Sequence, residues 1–383
     1  MLTPPPVLSS LSGERVLVFM LGSLGDTLVT LPALRALRES VGTGSLDLLS
    51  DDHGDSRVAP FDILAGEGLI DDFLRYPAGA SRGTLAIARL ARTLLRRRYD
   101  TVVSLLPSER PEASLRRDRL FFRFCGIRRL LGFESVAPSP PASGEPESER
   151  EGLLRLRRLA RGPGDHGPWV ADLLDRGYRL GVSTGELASA DAYLRDAGIE
   201  GEGPLVGMAP GAKRASCRWP LVRFAELAGG LRQAVDARLV IVGGPGDEAL
   251  ADELLHAVPQ ARSAVGLFSV RKSAALLSRL ALFVGNDTGT THLATSVGTP
   301  TVAVFSEREP EGQWSPLGDR AVILRNRVPC RCCHSDVCPI EGHPCLTGIS
   351  GARALQACLD QLARFAAVGV RGAVSETGTS EER

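Results

Sequence analysis

The chain has 383 residues, of which 43% are hydrophobic and 23% charged. That composition excludes a disordered polypeptide and allows two domains of ordinary size. Lys plus Arg and Asp plus Glu balance at 45 each, which argues against a general nucleic-acid binder and leaves room for a local basic patch.

No apolar run reaches the roughly 18 residues of a spanning helix. The opening M-L-T-P-P-P-V-L-S-S has no charged stretch followed by an apolar core, so no signal peptide is read there and a cytoplasmic location is expected. Val16–Leu21 is a continuous apolar run bounded by glycine, as a strand covered on both faces should be. Leu28, Leu31, Leu34 and Leu37 then recur at helical spacing. Short strands are predicted at Leu46–Leu49, Phe73–Tyr76 and Thr101–Leu106, with helices over Leu85–Arg98, Glu112–Cys125 and Glu149–Leu159. Pro138–Ser148 reads as a polar, proline-rich loop. The pattern loosens over Gly181–Gly203, where a hinge with a short helix at Ser189–Ala197 is expected.

Alternation then resumes. Strands are predicted at Leu205–Ala209, Leu239–Val242, Leu282–Val284 and Thr301–Phe305. Helices are predicted over Leu221–Leu231, Ala249–Ala257, Ser273–Leu280, Thr291–Val297 and Ala352–Ala366. Strands separated by helices imply right-handed crossovers and parallel sheets. The expected fold is α/β, with two Rossmann-like domains facing a central cleft and ligands bound beyond the carboxyl ends of the strands. The domain limits read from the sequence are 1–182, a hinge at 183–203, 204–350, a C-terminal helix at 351–370 and a flexible tail at 371–383.

The strongest chemical signal is Gly285-Asn286-Asp287-Thr288-Gly289-Thr290-Thr291-His292. It leaves a strand and enters a helix. Amides at a helix start bind anions, and Gly289 lets a phosphate approach the backbone. Thr288, Thr290 and Thr291 carry hydroxyls, while Asp287, itself an anion, suits sugar hydroxyls. A plain helix cap accounts for the same residue types. The second signal is Ala209-Pro210-Gly211-Ala212-Lys213-Arg214-Ala215-Ser216-Cys217-Arg218-Trp219-Pro220. Here a glycine-bearing loop after a strand carries Lys213, Arg214 and Arg218, cations able to steady a diphosphate leaving group. A solvated basic loop is the plain alternative. The third is Leu21-Gly22-Ser23-Leu24-Gly25-Asp26-Thr27. Gly22 and Gly25 allow close approach of a ligand, and Asp26 is either a helix cap or a general base. The spacing is not G-x-G-x-x-G, which disfavours a nicotinamide enzyme.

S-L-G-D-T-L-V-T-L-P-A-L-R-A-L, P-G-A-K-R-A-S-C-R-W-P-L-V-R-F-A-E-L, I-V-G-G-P-G-D-E and V-G-N-D-T-G-T-T-H-L-A-T-S-V-G-T-P-T-V-A-V-F occur in order between about Arg15 and Ser350. Together they resemble glycosyltransferase family 9, the ADP-heptose:lipopolysaccharide heptosyltransferase family. The resemblance implies a GT-B fold and inverting, metal-independent transfer, with no cofactor required. It implies Asp26 as the base that deprotonates the acceptor hydroxyl, with Ser23 and Gly25 beside it on the acceptor side. It places Asp287 at the sugar and Gly289, Thr290 and Thr291 at the phosphates, with Thr288 between them as a further donor-side candidate. Pro210, Gly211 and Ala212 match the other phosphate-side loop, where Lys213, Arg214 or Arg218 is the candidate to supply the phosphate-side charge, and Gly243, Gly244 and Pro245 lie near the expected nucleotide pocket. One departure stands out: where the family carries Lys two residues before the Trp, this chain has Cys217. The implied donor is ADP-heptose or a related nucleotide-diphosphate sugar, and the implied acceptor a lipopolysaccharide-core-like phosphorylated glycolipid. A non-catalytic nucleotide-sugar binder or assembly protein on the same fold is the alternative.

Two features lie outside those motifs. Cys330, Cys333, Cys338 and Cys345 have an ordered spacing that admits a structural zinc, reduced thiols or a disulfide. Between Arg82 and Arg129 there are 13 arginines against Asp100, Glu109, Glu112 and Asp118, interleaved with Leu120, Phe121, Phe122 and Phe124. Such a face, with Arg116 and Arg117 at its centre, suits an anionic glycolipid at a membrane surface. Solvated helix faces are the plain alternative, and no RNA-binding module accompanies the arginines. Peripheral association with the inner membrane is expected.

Overall fold

The computed structural model describes residues 5–52, 58–77, 83–108, 110–134, 150–159, 167–199 and 201–369. The 138–148 segment and the 371–383 tail called above lie outside them, as do His53 and His166. Two compact units share the chain. The first comprises Met1–Ser183 with Ser269–Ala274 and Glu309–Asp319, and the second Thr184–Phe268, Ala275–Arg308 and Arg320–Arg383.

The first unit is built on strands β1 (Arg15–Phe19), β2 (Ser45–Asp52), β3 (Asp72–Pro77), β4 (Thr101–Ser104) and β5 (Arg129–Leu131). All pair in parallel in the order β3-β2-β1-β4-β5. β1 lies at the centre with Val16, Leu17 and Val18 fully buried, which is why it reads as an unbroken apolar run rather than an alternating one. The core gathers Leu17, Phe19, Leu94, Val102, Leu106, Leu115 and Phe122 from the sheet and the helices over it. Where a single helix was read from the leucine spacing, there are two, Leu24–Val29 and Leu31–Val41. Pro32, in the first turn of the second, has no N–H to continue the first. Not predicted from the sequence in this unit are β5 and the helices Pro6–Ser9, Pro60–Leu64 and Gly167–Gly177. The helix Thr184–Asp196, expected only as a short one at Ser189–Ala197, runs for 13 residues and belongs to the second unit.

The second unit carries β6 (Leu205–Ala209), β7 (Arg238–Ile241), β8 (Arg262–Ser263), β9 (Leu282–Asn286), β10 (Thr301–Val304) and β11 (Ala321–Leu324). These also pair in parallel, in the order β11-β10-β9-β6-β7-β8. Each sheet reverses its winding beside its own first strand: between β1 and β4, and between β6 and β9. Those reversals open crevices at the carboxyl ends of the strands, the general ligand position of doubly wound sheets. Trp219 and Phe224 pack edge to face at 5.0 Å in the second core and fix the start of the helix Leu221–Val235.

Candidate functional site

In the first unit, β1 runs into Met20–Leu21 and the glycine turn at the β1/β4 reversal. Ser23 is the N-cap of Leu24–Val29, and Asp26 sits at the third helical position, closing a capping box. Its Oδ2 accepts the Ser23 amide at 3.2 Å. Asp26 is therefore not itself the cap residue, as one sequence alternative held. Gly22 is required by this geometry: its φ is +128°, and a Cβ built there would lie 2.4 Å from the Asp26 Cγ.

The other carboxylate oxygen of Asp26 faces a group the sequence reading missed. Arg155, on the helix Glu151–Leu159, is 0% exposed, and its Nη2 donates to Asp26 Oδ1 at 3.0 Å. Nη1 donates to the Asp26 carbonyl at 3.1 Å, and Nε to Glu151 Oε1 at 2.9 Å. Glu151 in turn accepts the amide and hydroxyl of Ser108, just beyond β4, at 2.8 and 2.6 Å. Burial pushes the Glu151 carboxyl up, but Arg155 and Ser108 outweigh it and hold it below the usual range. The Glu151 amide donates to the Gln313 carbonyl at 2.8 Å, which explains why Glu309–Asp319 groups with this unit. Asp26 keeps a partly exposed side chain, 20% accessible, at the end of this buried chain of charges.

Of the other residues expected on the acceptor side, Ser23 caps the Asp26 helix and Gly25 lies in its first turn. Arg116 and Arg117 lie on the helix Glu112–Phe124, and Arg117 pairs with Asp118 at 3.1 Å. No hydrogen bond or ion pair among the described residues brings either of them to Asp26.

In the second unit the two glycine loops meet at the β6/β9 reversal. Asn286, the last residue of β9, is fully buried and joins them: its Nδ2 donates to the carbonyls of Pro210 and Gly211 at 2.8 and 3.3 Å, and its Oδ1 accepts the Trp219 amide at 3.0 Å. The Thr291 hydroxyl closes the turn onto the Asn286 carbonyl at 2.6 Å. Thr288 is the extended N-cap of Gly289–Ser296, and its buried Oγ1 has no hydrogen-bond partner among the described residues. Gly289, Thr290 and Thr291 form the first turn; the Thr291 amide donates to the Thr288 carbonyl at 3.1 Å, so the leading amides are those of Gly289 and Thr290. His292 is buried in the helix at 3% exposure.

Asp247 packs between Gly211 and Gly243, where an added Cβ would lie 2.2 and 2.8 Å from its carboxylate, and it accepts the Gly244 amide at 3.1 Å. Burial raises its pKa. These glycines therefore make room for a carboxylate of the protein itself, a role the G-G-P run alone did not disclose.

Of the cations expected on the first loop, Arg218 donates Nε to the Ala212 carbonyl at 2.8 Å, Arg214 pairs with Asp336 at 2.8 Å, and Lys213 is exposed. Cys217 is buried, and burial pushes its thiol up to about 11, so it carries no charge at neutral pH. Burial likewise pushes the Asp287 carboxyl up to about 6, against the opposing pull of Arg325, Arg308 and Arg214. Arg308 and Arg325 are thus the buried cations near Asp287 that sequence reading overlooked. The available signal was charge directly after an apolar strand, in Ser306-Glu307-Arg308 following β10.

Cys330, Cys333, Cys338 and Cys345 line one cavity of about 30 Å³ with His343. Among the described residues, no three His, Cys, Asp or Glu side chains converge to hold a metal ion, so the zinc admitted by the spacing finds no assembled ligand set. The thiols are engaged locally instead: the Glu307 amide bonds to Cys345, whose thiol burial raises, and Cys338 donates to the Ile340 carbonyl at 3.6 Å.

The fold is of the GT-B type. It matches the glycosyl transferase family 9 structure from Veillonella parvula with a TM-score of 0.72 at 20% identity, covering 92% of this chain and 98% of that one. It matches the Escherichia coli ADP-heptose lps heptosyltransferase II structure with a TM-score of 0.66 at 21% identity, covering 91% and 99%. Residues 175–343 match the family model described as glycosyltransferase family 9 (heptosyltransferase). Among curated relatives, lipooligosaccharide heptosyltransferase 2 of Haemophilus influenzae is 28% identical over 139 residues, 35% of this chain and 40% of that protein. The chain thus spans about two fifths of that relative's length.

Proposed function

We propose that this protein is an inverting glycosyltransferase that needs no metal. It moves a heptose, or a related sugar, from ADP-heptose to a lipopolysaccharide-core-like acceptor. Residues 1–182 bind the acceptor and 204–350 the donor, with 183–203 as the hinge. Asp26 takes the proton from an acceptor hydroxyl as that oxygen bonds to the anomeric carbon. The bond from that carbon to the diphosphate breaks, and the nucleotide diphosphate leaves with the electron pair. Thr288, Gly289, Thr290 and Thr291, with Pro210, Gly211, Ala212, Lys213 and Arg218, hold the diphosphate. Asp287 accepts from sugar hydroxyls, and Gly243 and Gly244 border the nucleotide. Ser23 and Gly25 border the acceptor, whose anionic groups meet Arg116 and Arg117. The enzyme works at the cytoplasmic face of the inner membrane.

The observation that carries this reading is the setting of Asp26: a partly exposed carboxylate at a sheet reversal, clamped by a fully buried arginine. A carboxylate meant only for capping does not require a desolvated guanidinium behind it. The test is a screen of sugar nucleotides by mass spectrometry, with Asp26→Asn beside the parent chain. Loss of the base should lower kcat by about 10²–10⁴, and unchanged turnover would remove Asp26 from the chemistry.

Cys217 favours a second reading, a nucleotide-sugar-binding protein without transferase activity, because a neutral buried thiol stands where the family carries a lysine. Calorimetric binding of ADP-heptose with no product from any acceptor would select it.

A further inference from the structure

The first unit has a cavity of about 330 Å³ among Phe19, Tyr76, Ile87, Leu90, Phe121 and Phe122. It lies where β1, β2 and β3 end, under the helices Thr84–Arg97 and Glu112–Phe124. Its size is at the low end of small-molecule sites, and its walls are aromatic and aliphatic. Polar side chains reach it at Arg110, Arg117 and Asp118. Asp118 is nearly buried and accepts from Arg110 at 2.6 Å and from Arg117 at 3.1 Å, so two guanidiniums share one carboxylate and leave a net positive charge beside the cavity.

The surface of the same two helices is unusual. Leu85 is 63% exposed, Leu120 61% and Phe124 76%, and Ile87 and Leu95 are also exposed. Between these apolar side chains stand the exposed Arg89, Arg92, Arg96, Arg116 and Arg123. Apolar groups on an exposed helix face cost free energy in water unless something covers them, and arginines among them select an anionic cover.

We infer that this face docks on an anionic membrane and that the cavity takes one aliphatic chain of an anionic bilayer lipid, with the lipid's phosphate at Arg110 and Arg117. This deepens the membrane contact in the proposed function and requires nothing of sugar transfer, since the lipid is bound and not converted.

The experiment contains no nucleotide sugar. The full chain is titrated calorimetrically with n-alkyl phosphates of increasing length, kept monomeric, and with alkyl trimethylammonium salts of matched length. Co-sedimentation with phosphatidylglycerol and phosphatidylcholine vesicles follows. Affinity for the phosphates should rise about fourfold per methylene until the cavity is full. The cationic series should not bind, and only phosphatidylglycerol vesicles should carry the protein down. Ala86→Trp, which fills the cavity from its wall, should abolish the dependence on chain length. Ile87→Asp, at an exposed position, should do the same without adding volume, and near-ultraviolet circular dichroism reports whether each variant is folded. Binding that ignores chain length, equal binding of the cationic series, or folded variants that retain the length dependence would overturn the chain site. Binding of monomeric phosphates without phosphatidylglycerol vesicles would overturn the bilayer as its source. Transfer to a soluble deacylated acceptor, measured separately, would survive all of these failures.

Discussion

Arg155 donates to Asp26 at 3.0 Å and to Glu151 at 2.9 Å while completely buried, so one guanidinium spans two carboxylates of the first unit. A planar fork can do this; a lysine ammonium, a point donor on a flexible stem, cannot hold both in the same geometry. Arg155→Lys should therefore fold, leave donor affinity near that of the parent and lower kcat by about 100-fold through misplacement of Asp26. Arg155→Met should lose about 3–5 kcal/mol of stability, because Glu151 is left as an uncompensated buried charge. Urea melts and steady-state kinetics on both variants separate positioning from folding.

Glu151 also predicts an acid limb in stability. Its folded pKa lies below the ordinary carboxylate value, so the unfolded chain takes up the proton first as pH falls. The stability it supplies is present above about pH 4.3, the ordinary glutamate value, and is lost as pH drops through the folded value. Urea melts between neutral and acid pH should show this loss, and Glu151→Gln should flatten it at the cost of lower stability at neutrality.

Asp287 has the opposite sign. Its carboxyl is pushed up to about 6 from 3.8, so between those values the folded chain holds a proton that the unfolded chain has released. Its contribution to stability is present below 3.8, falls as pH rises through 6, and above that an ionised Asp287 burdens the fold. Asp287→Asn should raise the melting temperature at pH 8 and change it little at pH 4. The same residue should make donor KM rise below about pH 6, since a protonated carboxyl loses acceptor capacity. KM profiles of the parent and Asp287→Asn test this, and the variant should show no inflection there.

Gly22→Ala is expected to inactivate without unfolding. The new methyl would meet the Asp26 carboxylate at 2.4 Å in a backbone region that L-residues avoid. Turnover should fall by about 100-fold or more, with a melting temperature within a few degrees of the parent.

Alkylation should discriminate the cysteines. Cys217 is buried with its thiol up at about 11, whereas Cys333 is exposed. Iodoacetamide at pH 8, followed by peptide mass mapping, should label Cys333 first and Cys217 only in denaturant. A chelator should leave the melting temperature unchanged, because the described thiols form no ligand set.

The sequence disclosed what periodicity and punctuation encode. The buried apolar run of β6 bounds that strand to the residue, whereas the two reversals depend on which strands pair, which no single run encodes. β5, β8 and β11, of three, two and four residues, lie on the outer side of their sheets and carry too little pattern to register. The candidate site divided in a similar way. Asp26, Asp287 and the glycine turns stand beside strand ends, where spacing marks them. Arg155 does not: it falls in L-L-R-L-R-R-L, which reads as an ordinary amphipathic helix, and burial of a charge leaves no trace in hydrophobic periodicity. Arg308 and Arg325 differ: they follow the apolar strands β10 and β11, and that placement is the mark they leave.

A single carboxamide, that of Asn286, is the rivet between the Pro210–Gly211 loop, the Trp219 backbone and the turn into Gly289–Ser296. Segments joined this way cannot rattle separately, so any breathing of one wall of the proposed donor pocket must drag the other with it. Hydrogen exchange at these amides should accordingly be correlated, slow in both loops together and quickened in both by loss of that one side chain.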